Sequence, residues 1–114
     1  LDMPMADFLG KRVLKCSPES NPELWHNASP INHISNDAPP MFIIQGLHDS
    51  LVWVEEARDF AAQMRAGSKQ PVAYAELPGA QHAFEIFHSV RTDHTVNAVG
   101  DFLEWAHAQW VATR

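Results

Sequence analysis

Two short apolar runs in this chain each break at a glycine and then deliver a titratable side chain. Met41-Phe42-Ile43-Ile44-Gln45-Gly46-Leu47-His48 leads to Asp49, and Pro78-Gly79-Ala80-Gln81 leads to His82. The chemistry open to this pair is proton transfer. An imidazole, with an ordinary pKa of about 6.5, accepts and returns a proton near neutrality. A carboxylate on its other ring nitrogen fixes the tautomer and stabilises the imidazolium. Together they would activate a hydroxyl, which is a weak nucleophile without a base. Ordinary roles compete with this reading. Asp49 has the right residue type to cap a following helix, His82 could be a loop histidine, and His48 suits a turn.

The nucleophile itself has no candidate here. No Gly-x-Ser-x-Gly occurs in the chain, and none of the seven serines sits in a strand–turn–helix elbow. Ser50 follows the acid directly and is expected to point away from His82 or to cap the helix. The oxyanion donors that accompany such a serine are also missing. The other histidines, His26, His33, His88, His94 and His107, lack metal-ligand spacing; His82, His88 and His94 recur every six residues, which matches no single helix face. No metal or organic cofactor is expected.

The elements that must carry Asp49 and His82 follow from the pattern. Met41 to Gln45 is apolar on both faces, as in a strand, here over about 41–46, of a parallel sheet covered on both sides. Val54, Ala57, Phe60, Ala61 and Met64 line one face of a helix over about 54–66, stopped by Gly67. Val72 to Leu77 is the next strand, ended by Pro78-Gly79. Val96, Val99, Leu103, Ala106 and Trp110 define a helix over about 93–111. Strand, helix, strand, helix at these lengths is a right-handed βαβ unit with a covering helix. In an open α/β sheet the carboxyl ends of such strands are where sites collect, so Asp49 and His82 should meet there. Upstream, Met5, Phe8, Leu9 and Val13 suggest a short helix within about 1–15. Ser17 to Pro40 is a Pro-, Asn- and Ser-rich connector, with one helical turn at Pro22–His26 capped by Asn21.

Composition bounds the function. A chain of 114 residues with 46% hydrophobic residues is expected to make one globular domain. Its net charge of −6, with no basic cluster beyond Lys11-Arg12, leaves no footprint for nucleic acid. No apolar run approaches the ~20 residues of a membrane span, and the single Cys16 excludes an internal disulfide. The opening Leu1-Asp2-Met3-Pro4 has neither an initiator Met nor the regions of a signal peptide. The expectation is a segment of a longer, cytoplasmic protein.

Several stretches resemble one family, the carboxyl-terminal part of α/β-hydrolase esterases and lipases of the hormone-sensitive-lipase-like branch. They are Ala28-Ser29-Pro30-Ile31, Ala38-Pro39-Pro40, the Gly46-Leu47-His48-Asp49 turn, Ala57-Arg58-Asp59-Phe60, Glu76-Leu77-Pro78-Gly79-Ala80-Gln81-His82-Ala83-Phe84 and Asp101-Phe102-Leu103-Glu104-Trp105. The resemblance implies that Asp49 is the triad acid and His82 the triad base, in the acid-then-histidine order of that fold with the serine earlier. It implies a small-molecule or lipid ester as substrate of the whole protein, and an isolated chain without activity. It also implies that residues 1–40 are a helix and connector and 41–114 the βαβα unit carrying the pair. Relatives often carry Pro where Trp53 stands, so the substrate pocket is open to variation there. A serine peptidase of the prolyl-oligopeptidase type would use the same two turns, and a non-enzymatic binding module would keep the fold without a serine. Finally, in the resembled family the strand at Met41–Gln45 is paired on both edges. Left with one partner, its apolar edge would be a template for another chain, so a homo-oligomer through that edge is expected.

Overall fold

The computed structural model describes residues 4–114. The chain divides into two compact units, Leu1–His82 and Ala83–Arg114.

In the first unit, helix α1 spans Pro4–Phe8 and runs on as a wider π-helical turn over Leu9–Val13. The helix expected within about 1–15 is therefore present from Pro4; its first three positions lie outside the described residues. Helix α2 covers Pro22–Ala28, with Pro22 at its first turn and the Asn21 side chain accepting the Leu24 N–H at 3.1 Å. That cap satisfies one of the donors every helix start leaves open. A 3-10 turn at Pro30–His33 completes the connector.

Strand β1 is Met41–Gly46, helix α3 is Val54–Gly67 and strand β2 is Val72–Leu77. The two strands pair in parallel, Met41 opposite Val72 through to Gly46 opposite Leu77. A parallel pair needs a crossover, and α3 supplies it. Val54, Ala57, Ala61 and Met64, the apolar positions read from the sequence, are the buried face of α3, which packs on both strands. Phe60, read on the same face, is only half-buried. The expected covering of β1 on both sides differs in detail. Met41 to Ile44 are half-buried, and only Gln45 and Gly46 are fully so. The sheet among the described residues has two strands, so each has a single neighbour.

The second unit opens with a 3-10 turn, Phe84–Ile86, and continues as α4, Val90–Ala112. Helix α4 begins three residues before the periodic stripe suggested. The Ser89 hydroxyl accepts the Thr92 N–H at 3.1 Å, and the buried Thr92 donates its own hydroxyl to the Phe87 carbonyl at 2.7 Å. This cap is carried by polar residues that an apolar period does not register. Among the described residues no helix is long and apolar enough to cross a membrane.

Candidate active site

The carboxyl ends of β1 and β2 lie side by side, and each passes into a short, hydrogen-bonded loop. After β1 the chain turns at Gly46, where the Asp49 N–H reaches the Gly46 carbonyl at 3.2 Å. After β2 a turn centred on Pro78-Gly79 closes with the Ala80 N–H on the Leu77 carbonyl at 3.2 Å. Gly79 has φ of +70°, the conformation that the third position of a type II turn requires and that glycine adopts freely. The two loops are then tied to each other. The His48 N–H donates to the Ala80 carbonyl at 3.0 Å, and the Leu47 N–H to the Leu77 carbonyl at 3.0 Å. A site built on these loops inherits its spacing from the strand register.

Asp49 and His82 are brought together. His82 Nδ1 lies 2.8 Å from Asp49 Oδ2. The Asp49 side chain is 7% exposed, while the His82 ring is 41% exposed. The other carboxylate oxygen, Oδ1, accepts the N–H groups of Leu51 and Val52, each at 2.9 Å. Burial pushes the Asp49 carboxyl up. The N–H donors of Val52 and Leu51, with His82, outweigh it and hold the group below the ordinary aspartate range. Asp49 is thus an anion at neutral pH and can only accept hydrogen bonds. The proton between the two side chains therefore belongs to His82 Nδ1, so that in the neutral ring the lone pair is on Nε2. That is the tautomer a general base needs.

The capping role considered for Asp49 is not the one it has. The N-cap of α3 is Trp53, without a side-chain cap, and Asp49 instead closes a turn of its own over Leu51 and Val52. Trp53 is partly exposed at the start of α3. His48 points its side chain to solvent and contributes only its backbone. The serine hydroxyls with described bonds are engaged elsewhere. Ser17 pairs with Ser20, Ser29 donates to the Trp25 carbonyl, Ser68 to that of Ala38, and Ser89 bonds Thr92. Among the described residues no group of three or more His, Cys, Asp or Glu side chains is gathered as a metal site would require.

One residue of the site was missed in the sequence. Gln45, buried at the end of β1, directs its amide nitrogen at the Val52 carbonyl (2.9 Å) and at Asp49 Oδ2 (3.3 Å). The signal available was a lone amide closing the apolar run Met41–Ile44, four residues before the acid.

Comparison with known proteins bears on the same residues. The BD-FAE family matches residues 3–64, a stretch that contains Asp49 and ends before His82. Three Mycobacterium tuberculosis proteins are similar over most of the chain. "Probable carboxylic ester hydrolase LipM" is 48% identical over 104 residues, 91% of this chain and 24% of the relative. "Esterase LipC" is 40% identical over 101 residues, 89% of this chain and 25% of the relative. "Esterase LipQ" is 39% identical over 99 residues, 87% of this chain and 24% of the relative. The chain thus spans about a quarter of the length of each. No solved structure matches it.

Proposed function

The chain belongs to the BD-FAE family, and from that membership we propose that it is part of a carboxylic ester hydrolase, with Asp49 as the acid and His82 as the base of a serine triad. The observation that carries the reading is the 2.8 Å contact between His82 Nδ1 and Asp49 Oδ2 on adjacent strand-end loops. The names of the three mycobacterial relatives, a carboxylic ester hydrolase and two esterases, support the choice of ester as substrate class. In this reading β1, α3, β2 and α4 are the carboxyl-terminal strand–helix units of an α/β-hydrolase fold, and residues 1–40 are their helix and connector.

The chemistry follows from the tautomer. A serine supplied from outside these 114 residues gives its proton to His82 Nε2 as its oxygen attacks the ester carbonyl. Asp49, already an anion, stabilises the imidazolium that results without taking the proton itself. His82 then returns the proton to the departing alkoxide, leaving an acyl-serine. Water attacks that ester by the same route in reverse, and the carboxylic acid is released. Small-molecule or lipid esters fit this cycle, and it uses no cofactor.

The test is a hybrid in which this chain replaces the matching 24% of the 48% identical relative. Hydrolysis of p-nitrophenyl esters by the hybrid, with no turnover by the isolated chain above an equal concentration of imidazole, is the expected result. Cleavage of prolyl peptides in place of esters would contradict it.

A further inference from the structure

We propose that Gln45 is a positioning residue that holds the Asp49 carboxylate in the orientation that meets His82, a role that rests on reading Asp49 and His82 as the acid–base pair. Burying a primary amide at the end of an apolar strand is unfavourable unless its polar atoms are partnered. Gln45 is 8% exposed, and its amide nitrogen has three acceptors within reach: the Val52 carbonyl at 2.9 Å, Asp49 Oδ2 at 3.3 Å and the Gly46 carbonyl at 3.3 Å. An amide has two N–H groups. The short bond to Val52 takes one, and the other lies between Asp49 Oδ2 and the Gly46 carbonyl.

These contacts close a ring. Gln45 holds the carbonyl of Val52, the N–H of Val52 holds Asp49 Oδ1, and Asp49 Oδ2 returns to Gln45. Inside this ring the carboxylate has one orientation, with Oδ1 toward its own loop and Oδ2 toward His82. The anchor is stiff because the Gln45 backbone sits in the parallel ladder opposite Glu76. A carboxylate held only by its own loop could rotate, and either oxygen could turn away from the ring.

The test is nuclear magnetic resonance of the 114-residue chain, reading the protonated nitrogen of His82 from its ring nitrogen shifts. In the native chain His82 should carry its proton on Nδ1. Gln45→Met keeps the side-chain length and removes both donors. It should lower the ratio of the Nδ1–H to the Nε2–H form roughly tenfold or more, as expected for loss of a hydrogen bond to a charged group. Amide protection across β1 and β2 should be unchanged. An unaltered ratio in a folded Gln45→Met chain would overturn the positioning role while leaving the pair intact. A native His82 protonated on Nε2 would instead overturn the reading of the pair, and this role with it. If Gln45→Met does not fold, the native chain still decides. Gln45 side-chain protons that exchange slowly, and faster in Asp49→Asn, support the role; exchange as fast as that of the exposed Gln63 refutes it.

Discussion

A Cβ placed on Gly46 would lie 2.7 Å from the carbonyl oxygen of Ala80, closer than side-chain carbons approach backbone oxygens. The same atom would meet the Gln81 carbonyl at 2.9 Å, so the loops that carry Asp49 and His82 approach this closely only because residue 46 has no side chain. Gly46→Ala should separate the loops and break the 2.8 Å contact between His82 Nδ1 and Asp49 Oδ2. The expected loss of stability is about 1–3 kcal/mol, typical of forcing one extra carbon into a packed site. Thermal unfolding together with the His82 Nδ1–H resonance checks this. A variant of native stability that keeps the resonance would contradict it.

Much of this arrangement was legible in the sequence, and the parts that were not share a cause. Strands β1 and β2 and the buried face of α3 follow from hydrophobic period. Val54, Ala57, Ala61 and Met64 repeat at helical spacing, and burial selects for that spacing directly. Asp49 and His82 could be paired on paper because glycine turns and parallel topology put successive strand ends together. Gln45 could not be found this way. Its role depends on where the Val52 carbonyl falls, a backbone coordinate with no residue signature. The start of α4 was missed for a similar reason, since Ser89 and Thr92 act through hydrogen bonds and not through apolar period. The Asx-type turn of Asp49 over Leu51 and Val52 was likewise hidden, because a capping aspartate and a turn-closing aspartate look alike in sequence.

Tyr74, Glu76 and Arg58 form a second polar cluster that titration can read. Arg58 grips Glu76 with Nε on Oε1 at 2.6 Å and Nη2 on Oε2 at 2.8 Å, while the Tyr74 hydroxyl donates to Oε1 at 2.9 Å. Burial, then the hydrogen bond to Glu76, pushes the Tyr74 phenol up to about 12. Tyr74 is the one tyrosine of the chain, so its ultraviolet titration is unambiguous. Its folded pKa is raised, so its contribution is complete below the unfolded value of about 10 and is lost as pH rises through the folded value. A midpoint near 12, moving down in Glu76→Gln, is expected; a midpoint near 10 in the native chain would refute the cluster.

At the acid end, the hydrogen bond from Arg58, followed by that from Tyr74, lowers the Glu76 carboxyl to about 2. The Asp49 carboxyl is lowered as well. Both folded values are depressed, so both groups stabilise the fold above their unfolded pKa of about 4 and lose that contribution as pH falls through the folded values. Denaturant unfolding at a series of pH values should show stability falling below about pH 4. Glu76→Gln and Asp49→Asn should each flatten that limb. Parallel curves for native and variant chains would contradict the assignment.

Among the described residues the sheet has two strands, and β1 has a single neighbour. Ile43 and Ile44 are half-buried in it. Apolar strand edges pair with other chains unless they are covered. We predict that the 114-residue chain self-associates through β1, burying about 1,000 Å² or more. Sedimentation at micromolar concentration should detect a dimer or larger species, and replacing Ile43 with Lys should shift it toward monomer. A monodisperse monomer would exclude this edge as an interface.

The most direct test of the central claim, that Asp49 and His82 act as acid and base in ester hydrolysis, is kcat/KM of the hybrid enzyme with each residue replaced in turn. Asp49→Asn should keep the fold and lower turnover about 10⁴-fold, because the amide favours the wrong imidazole tautomer. His82→Ala should abolish measurable turnover with native thermal stability. Rates within tenfold of the unaltered hybrid for either variant would contradict the account.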